Sequence, residues 1–223
     1  MSATHPGLLA AVGLASATAA VWTPRLADHL TRTPHAVNTA VGGPWRRSLT
    51  AAGVAGLTGT VLVWRLPTTP VPAACLLAAW LLFLQAGLLL TIADLETRRL
   101  PTSAIAATAA AASVLLLIGA AAGHDPGPIL AALTGAALVG GTYLALAVLT
   151  PAGPGMGDVR LAALTGGLAA ATGWNTLLLT AMLPYLLGLP SAIVQYRRGG
   201  GNRHIPFGPF LAAGAVTAVI ITG

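Results

Sequence analysis

What constrains this chain most is a succession of long apolar runs, with nearly all its charge collected in the connections between them. Eight runs can be drawn, at Pro6–Trp22, Ser48–Trp64, Pro72–Ala93, Thr102–Gly123, Pro128–Leu149, Val159–Gly173, Asn175–Gln195 and Phe207–Thr222. Most are near the roughly 20 residues that cross a bilayer. A backbone in lipid must satisfy its own N–H and C=O groups, so such runs form α-helices or close into a barrel. None alternates apolar and polar residues as barrel strands do. The expectation is an all-α, polytopic integral membrane helical bundle of about eight transmembrane helices, a single membrane-embedded domain over residues 1–223. The sixth run is short for a span, and Pro184 and Pro190 are expected to bend the seventh.

Composition excludes the alternatives. Only 7% of residues are charged and 56% are hydrophobic, with a mean hydropathy of +0.81, whereas a soluble domain carries about 25% charged residues. A pI of 11.1 and a formal charge of +6 invite a nucleic-acid reading. But the eleven basic residues are all arginines, scattered between apolar runs, and aromatics are 5%. No solvated face is left to carry a basic patch, so no nucleic acid is expected as a partner. The partner that composition implies is the lipid bilayer.

The arginines read instead as topology. If the connection Thr23–Arg47 is cytoplasmic and sides alternate from there, the inside connections hold Arg25, Arg32, Arg46, Arg47, Arg98, Arg99, Arg160, Arg197, Arg198 and Arg203. The outside holds only Arg65. Ten against one is the bias of the positive-inside rule, and a missed or extra span would scatter it. Both termini are then expected outside, in a cell inner or plasma membrane. The first residues, M-S-A-T-H-P-G, carry no Lys or Arg, so cleavage after Ala17-Thr18-Ala19 is not expected. Cys75 reads as a small core residue. Gly53, Gly56, Gly59, Gly135 and Gly140 are expected at close helix contacts. The five tryptophans are expected mostly as interface anchors.

Five acids remain: Asp28, Asp94, Glu96, Asp125 and Asp158. Asp28 and Asp125 fall in connections and read as solvated. The other three lie at two helix ends that the topology puts on the same cytoplasmic face. An ionisable group at membrane depth costs about 2.5–3.5 kcal/mol at a helix centre, so its default reading is functional. Taken singly, Asp94 or Glu96 would pair with Arg98 or Arg99, and Asp158 would cap its helix. Taken together, two aspartates share a proton, because neighbouring like charges do not both ionise cheaply. One ionised and one neutral carboxyl suits aspartic proteolysis: the first activates water, the second polarises a peptide carbonyl. Asp158 stands at a helix N-terminus and is expected to be the more acidic member. Gly155 and Gly157 would let a substrate backbone approach and let the loop take positive φ.

Through these residues the chain resembles the prepilin peptidases, the type IV leader peptidases of the Gly-x-Gly-Asp membrane aspartic protease group. Three pieces match in order: Asp94-Leu95-Glu96-Thr97-Arg98-Arg99-Leu100-Pro101, Gly155-Met156-Gly157-Asp158-Val159-Arg160-Leu161, and Ile205-Pro206-Phe207-Gly208-Pro209-Phe210-Leu211-Ala212. The resemblance covers residues 72–223, about two-thirds of the chain. The resemblance implies Asp94 and Asp158 as the catalytic pair, with Glu96 as the alternative first acid. It implies cleavage of prepilin or pseudopilin leader peptides at the cytoplasmic face of the membrane. Gly155, Gly157 and Pro101 would support the substrate loop, and Arg160 and His204 would be accessory, Arg160 at the lipid headgroups. Full-length members carry a cysteine-containing cytoplasmic domain between the first two spans and also N-methylate the product. Here that connection is only residues 23–47 and has no cysteine, so neither a cysteine-ligated zinc nor the methyltransferase step is expected. No metal or cofactor is implied.

Two other readings compete. A small transporter or proton conduit would want polar groups at the membrane midplane, where Gln85 is the main exception to apolar composition. It would also want inverted repeats, and none is evident. A catalytically inactive pilus or secretion assembly partner would share the sequence features and differ only in activity.

Overall fold

The computed structural model describes residues 6–23, 44–97, 100–150, 153–197 and 207–223, and these form eight α-helices with no strand among them. The helices are α1 (Pro6–Val21), α2 (Pro44–Arg65), α3 (Val71–Thr97), α4 (Thr102–Gly123), α5 (Gly127–Leu149), α6 (Met156–Thr172), α7 (Trp174–Arg197) and α8 (Gly208–Thr222). Four of them, α3, α4, α5 and α7, are long and apolar enough to cross a membrane. The chain is thus a polytopic, all-α membrane bundle. α6 has 17 residues, about 25 Å at 1.5 Å per residue, which is short of the roughly 30 Å hydrocarbon core.

Successive helices pack as hairpins, α1 on α2, α3 on α4, α5 on α6 and α7 on α8. Contacts among α3, α6 and α8 join three of those hairpins. Lipid tails give helices no hydrophobic reason to associate, so small residues that let backbones touch take over that role. A Cβ on Gly166 of α6 would lie 2.6 Å from the Gly135 carbonyl oxygen of α5, and one on Gly140 2.7 Å from Ala163 Cβ. Gly56 and Gly59 of α2 meet α1 in the same way, at Ala17 and Ser16. Gly53 does not: nothing lies within 4 Å of a Cβ there, so its expected packing role is corrected. α7 runs through both of its prolines. Gly214 of α8 leaves room for one of them, since a Cβ there would stand 2.8 Å from Pro184 Cδ.

Polar groups inside the bundle act as ties. Trp80 Nε1 donates to Thr172 Oγ1 at 2.8 Å, joining α3 to α6, and its ring meets Phe83 edge-on at 5.8 Å. Trp80 is fully buried, unlike the exposed Trp22, Trp64 and Trp174, so it is a core residue and not an interface anchor. Gln85 Nε2 donates to the Ser16 carbonyl oxygen at 3.1 Å, tying α3 to α1. Helix ends are set locally. Pro101, in extended conformation, precedes α4, and His124, at φ 52°, closes it with its N–H on the Ala120 and Ala121 carbonyls. Asp125 Oδ1 accepts the Gly127 N–H at 2.8 Å, an ordinary turn role.

Candidate functional site

Three helix ends meet at one end of the bundle. α3 carries Asp94 into its last turns, α6 carries Asp158 in its first turn, and α8 begins at Gly208. Asp94 is 5% exposed, and its Oδ2 accepts the Gly208 N–H at 3.1 Å. The first N–H groups of a helix have no partner within it, so the bond gives the carboxylate a donor that α8 would otherwise leave unpaired. The positive end of the α8 dipole faces the same carboxylate. Gly208 is required for this approach: a Cβ there would stand 2.9 Å from Asp94 Oδ2.

Asp158 is held from its own helix. Its Oδ2 accepts the N–H of Gly155, the N-cap of α6, at 3.1 Å. This is the returning arm of a capping box, and Gly155 has no side chain to supply the other arm. Oδ1 is buried and has no hydrogen-bond partner among the described residues. Burial, and after it the negative charge of Asp94, pushes the Asp158 carboxyl up to about 6, with the Gly155 bond opposing. Asp94 is therefore near enough to act on Asp158. The expectation that a helix N-terminus would keep Asp158 acidic is overturned, because burial and a like charge outweigh the terminus.

Leu100 packs across the N-termini of α6 and α8. A Cβ on Gly157 would lie 2.8 Å from Leu100 Cβ, and one on Gly208 3.2 Å from Leu100 Cδ2. This corrects the expectation for Gly157: the space left by its missing side chain is filled by Leu100 and is not clearance for a substrate. Gly155 keeps open space, with only Asp158 Oδ2 at 3.6 Å from a Cβ. Its φ of −68° and ψ of 159° are extended backbone, so Gly155 does not use the positive φ expected of it. The Pro101 carbonyl accepts the N–H groups of Ala104 and Ile105, which starts α4 immediately after Leu100. Arg160 Nη1 donates to Thr102 Oγ1 at 2.7 Å. Residues two apart on a helix point to opposite sides, and Arg160 is not among the groups that move Asp158. The side chain of Glu96, and residues Arg98, Arg99, His204, Ile205 and Pro206, lie outside what the structure describes.

Beside the aspartates is an aromatic cluster that the sequence reading missed. Tyr143 of α5 packs on Tyr185 of α7 at 5.9 Å and on Phe207 at 6.1 Å between ring centroids. Phe207 is the N-cap of α8, one residue before the N–H that holds Asp94. Tyr143 is 3% exposed and its hydroxyl has no hydrogen bond of good geometry among the described residues, although Tyr185 and the Asp158 charge lie near enough to act on it. A phenol so deeply buried and unpaired carries a desolvation cost. The available signal was a tyrosine well inside an otherwise apolar run, in a chain with three tyrosines. No family model, curated protein or solved structure matches this chain, so the functional reading rests on these residues.

Proposed function

We propose that this protein is a membrane aspartic endopeptidase that cuts the leader from prepilin or pseudopilin-like proteins. The observation that carries the reading is that buried Asp94 and half-buried Asp158 stand at the same end of the bundle, where Asp94 accepts the first N–H of α8 and its charge acts on Asp158. One carboxylate takes a proton from water as its oxygen adds to the peptide carbonyl carbon. The other, neutral, donates to the carbonyl oxygen. Breaking the C–N bond then passes a proton to the leaving amine. As a coupled pair the two share one proton, and the roles belong to the pair more than to either residue. Tyr143 offers a further donor near the Asp158 carboxylate. The arginine distribution supports a multi-pass protein of the inner or plasma membrane, with both termini outside and the site facing the cytoplasm.

The test is co-expression with a prepilin, read by mass spectrometry of the substrate. Asp94→Asn and Asp158→Asn variants are expected to insert normally and leave the leader uncut, while the unaltered protein removes it. Full processing by both variants would overturn the assignment.

A further inference from the structure

A long apolar groove lies on the far side of α6 from Asp158. α4 stands apart from the tight α5–α6 pair, and between them is a cleft of about 570 Å³. Its walls include Ile105, Ala109 and Leu116 of α4, Ala132 of α5, and Ala163 and Leu164 of α6, and the polar group along its length is Ser113. On α4 it extends from Thr102 to Leu117, sixteen residues, or roughly 22 Å at 1.5 Å of rise per residue. At the end nearest the aspartates stand Arg160 and Thr102, already joined at 2.7 Å. Among the described residues, Arg160 is the one charged residue lining the groove. The bond to Thr102 uses one of five guanidinium donors and fixes the direction of the rest.

Size selects the occupant. A helix with side chains is 10–12 Å across, so 22 Å of it would displace on the order of 2,000 Å³, more than the groove encloses. A cleft of this volume is in the range of small-molecule sites, and its narrow apolar length suits one extended hydrocarbon chain. Charge selects the other end, because a guanidinium pairs with phosphate through a planar fork of donors. We propose that this groove binds one anionic phospholipid of the surrounding bilayer, with an acyl chain between α4 and α6 and its phosphate at Arg160. The site depends on the bundle lying in a membrane and not on the peptidase reading.

The experiment is native mass spectrometry of the full-length protein in detergent, titrated separately with long-chain phosphatidylglycerol, long-chain phosphatidylcholine and dihexanoyl phosphatidylglycerol. One phosphatidylglycerol is expected to be retained at least tenfold more tightly than phosphatidylcholine. The dihexanoyl lipid, with the same headgroup and too little chain to fill the groove, is expected to bind at least tenfold more weakly than its long-chain counterpart. Arg160→Gln should abolish the headgroup preference, and Ala106→Trp, at an exposed position on the groove wall, should lower retention of both long-chain lipids. No headgroup preference in the unaltered protein, equal binding of the short-chain lipid, or an undiminished preference in Arg160→Gln would each overturn the proposal.

Discussion

Replacing Gly208 by alanine tests whether the start of α8 holds Asp94 in its working geometry. The added Cβ would stand 2.9 Å from Asp94 Oδ2, 3.3 Å from Asp94 Cγ and 3.2 Å from Leu100 Cδ2. The carboxylate must retreat by about half an ångström, which takes the present 3.1 Å N–H···Oδ2 bond beyond hydrogen-bonding distance. A hydrogen bond to a charged acceptor is worth about 1.5–3 kcal/mol, and each 1.4 kcal/mol is about a factor of ten in rate. Cleavage of a prepilin leader by the purified variant should therefore fall roughly 10- to 100-fold. Alanine is also the better helix former by about 0.5–1 kcal/mol, so the melting temperature should change little, which separates a site effect from unfolding. Both are read on one detergent preparation, cleavage by mass spectrometry and melting by intrinsic fluorescence. A Gly208→Ala protein that cuts at the unaltered rate would refute the claim that this N–H positions Asp94.

The pH profile of cleavage should have a descending limb near 6, where Asp158 gives up its proton, and fall about tenfold per pH unit above it; a rate that stays flat from pH 6 to 8 would contradict the shared-proton pair. The same raised value sets a stability trend: the native carboxyl holds its proton to about 6 and an unfolded aspartate only to about 4. Stability should therefore fall as pH rises through that window, and Asp158→Asn should flatten the slope of melting temperature against pH. Tyr143→Phe removes a buried hydroxyl that has no hydrogen bond of good geometry among the described residues, so melting should be unchanged or higher while cleavage drops roughly tenfold or more. An unaltered cleavage rate would remove Tyr143 from the site. Gly166→Ala forces a Cβ to 2.6 Å from a backbone carbonyl and should cost about 1–3 kcal/mol, whereas Gly53→Ala, facing open space, should be neutral or slightly stabilising, as paired thermal melts would show.

The apolar runs were enough to read the helices, because in lipid a continuous greasy segment has almost no other backbone solution. The α4 and α5 boundaries follow the sequence closely, since Pro101, Gly123 and Pro128 punctuate them. α2 was less legible: it starts at Pro44, four residues before the apolar run, because arginines can continue a helix beyond the hydrocarbon. The two aspartates were legible from their scarcity. What holds them was not. Leu100 and Gly157 meet through a contact 57 residues apart in sequence, and nothing in the local pattern distinguishes a glycine that admits a substrate from one that admits a leucine. Tyr143 was missed for a similar reason, since a tyrosine in an apolar run is read as bulk until its hydroxyl is found buried beside Tyr185 and Asp158. The acidity of Asp158 went the wrong way because helix position is visible in a sequence and burial is not.

The bond from Gly208 to Asp94 also has a consequence in time. The two aspartates belong to α3 and α6, but the donor that fixes the first of them arrives with α8, after both have left the ribosome and entered the membrane. During synthesis the chain thus holds its acids without the contact that orients them, and the last hairpin completes the site. On the proposed peptidase reading, a growing chain built in this order is expected to be inactive until α8 has docked.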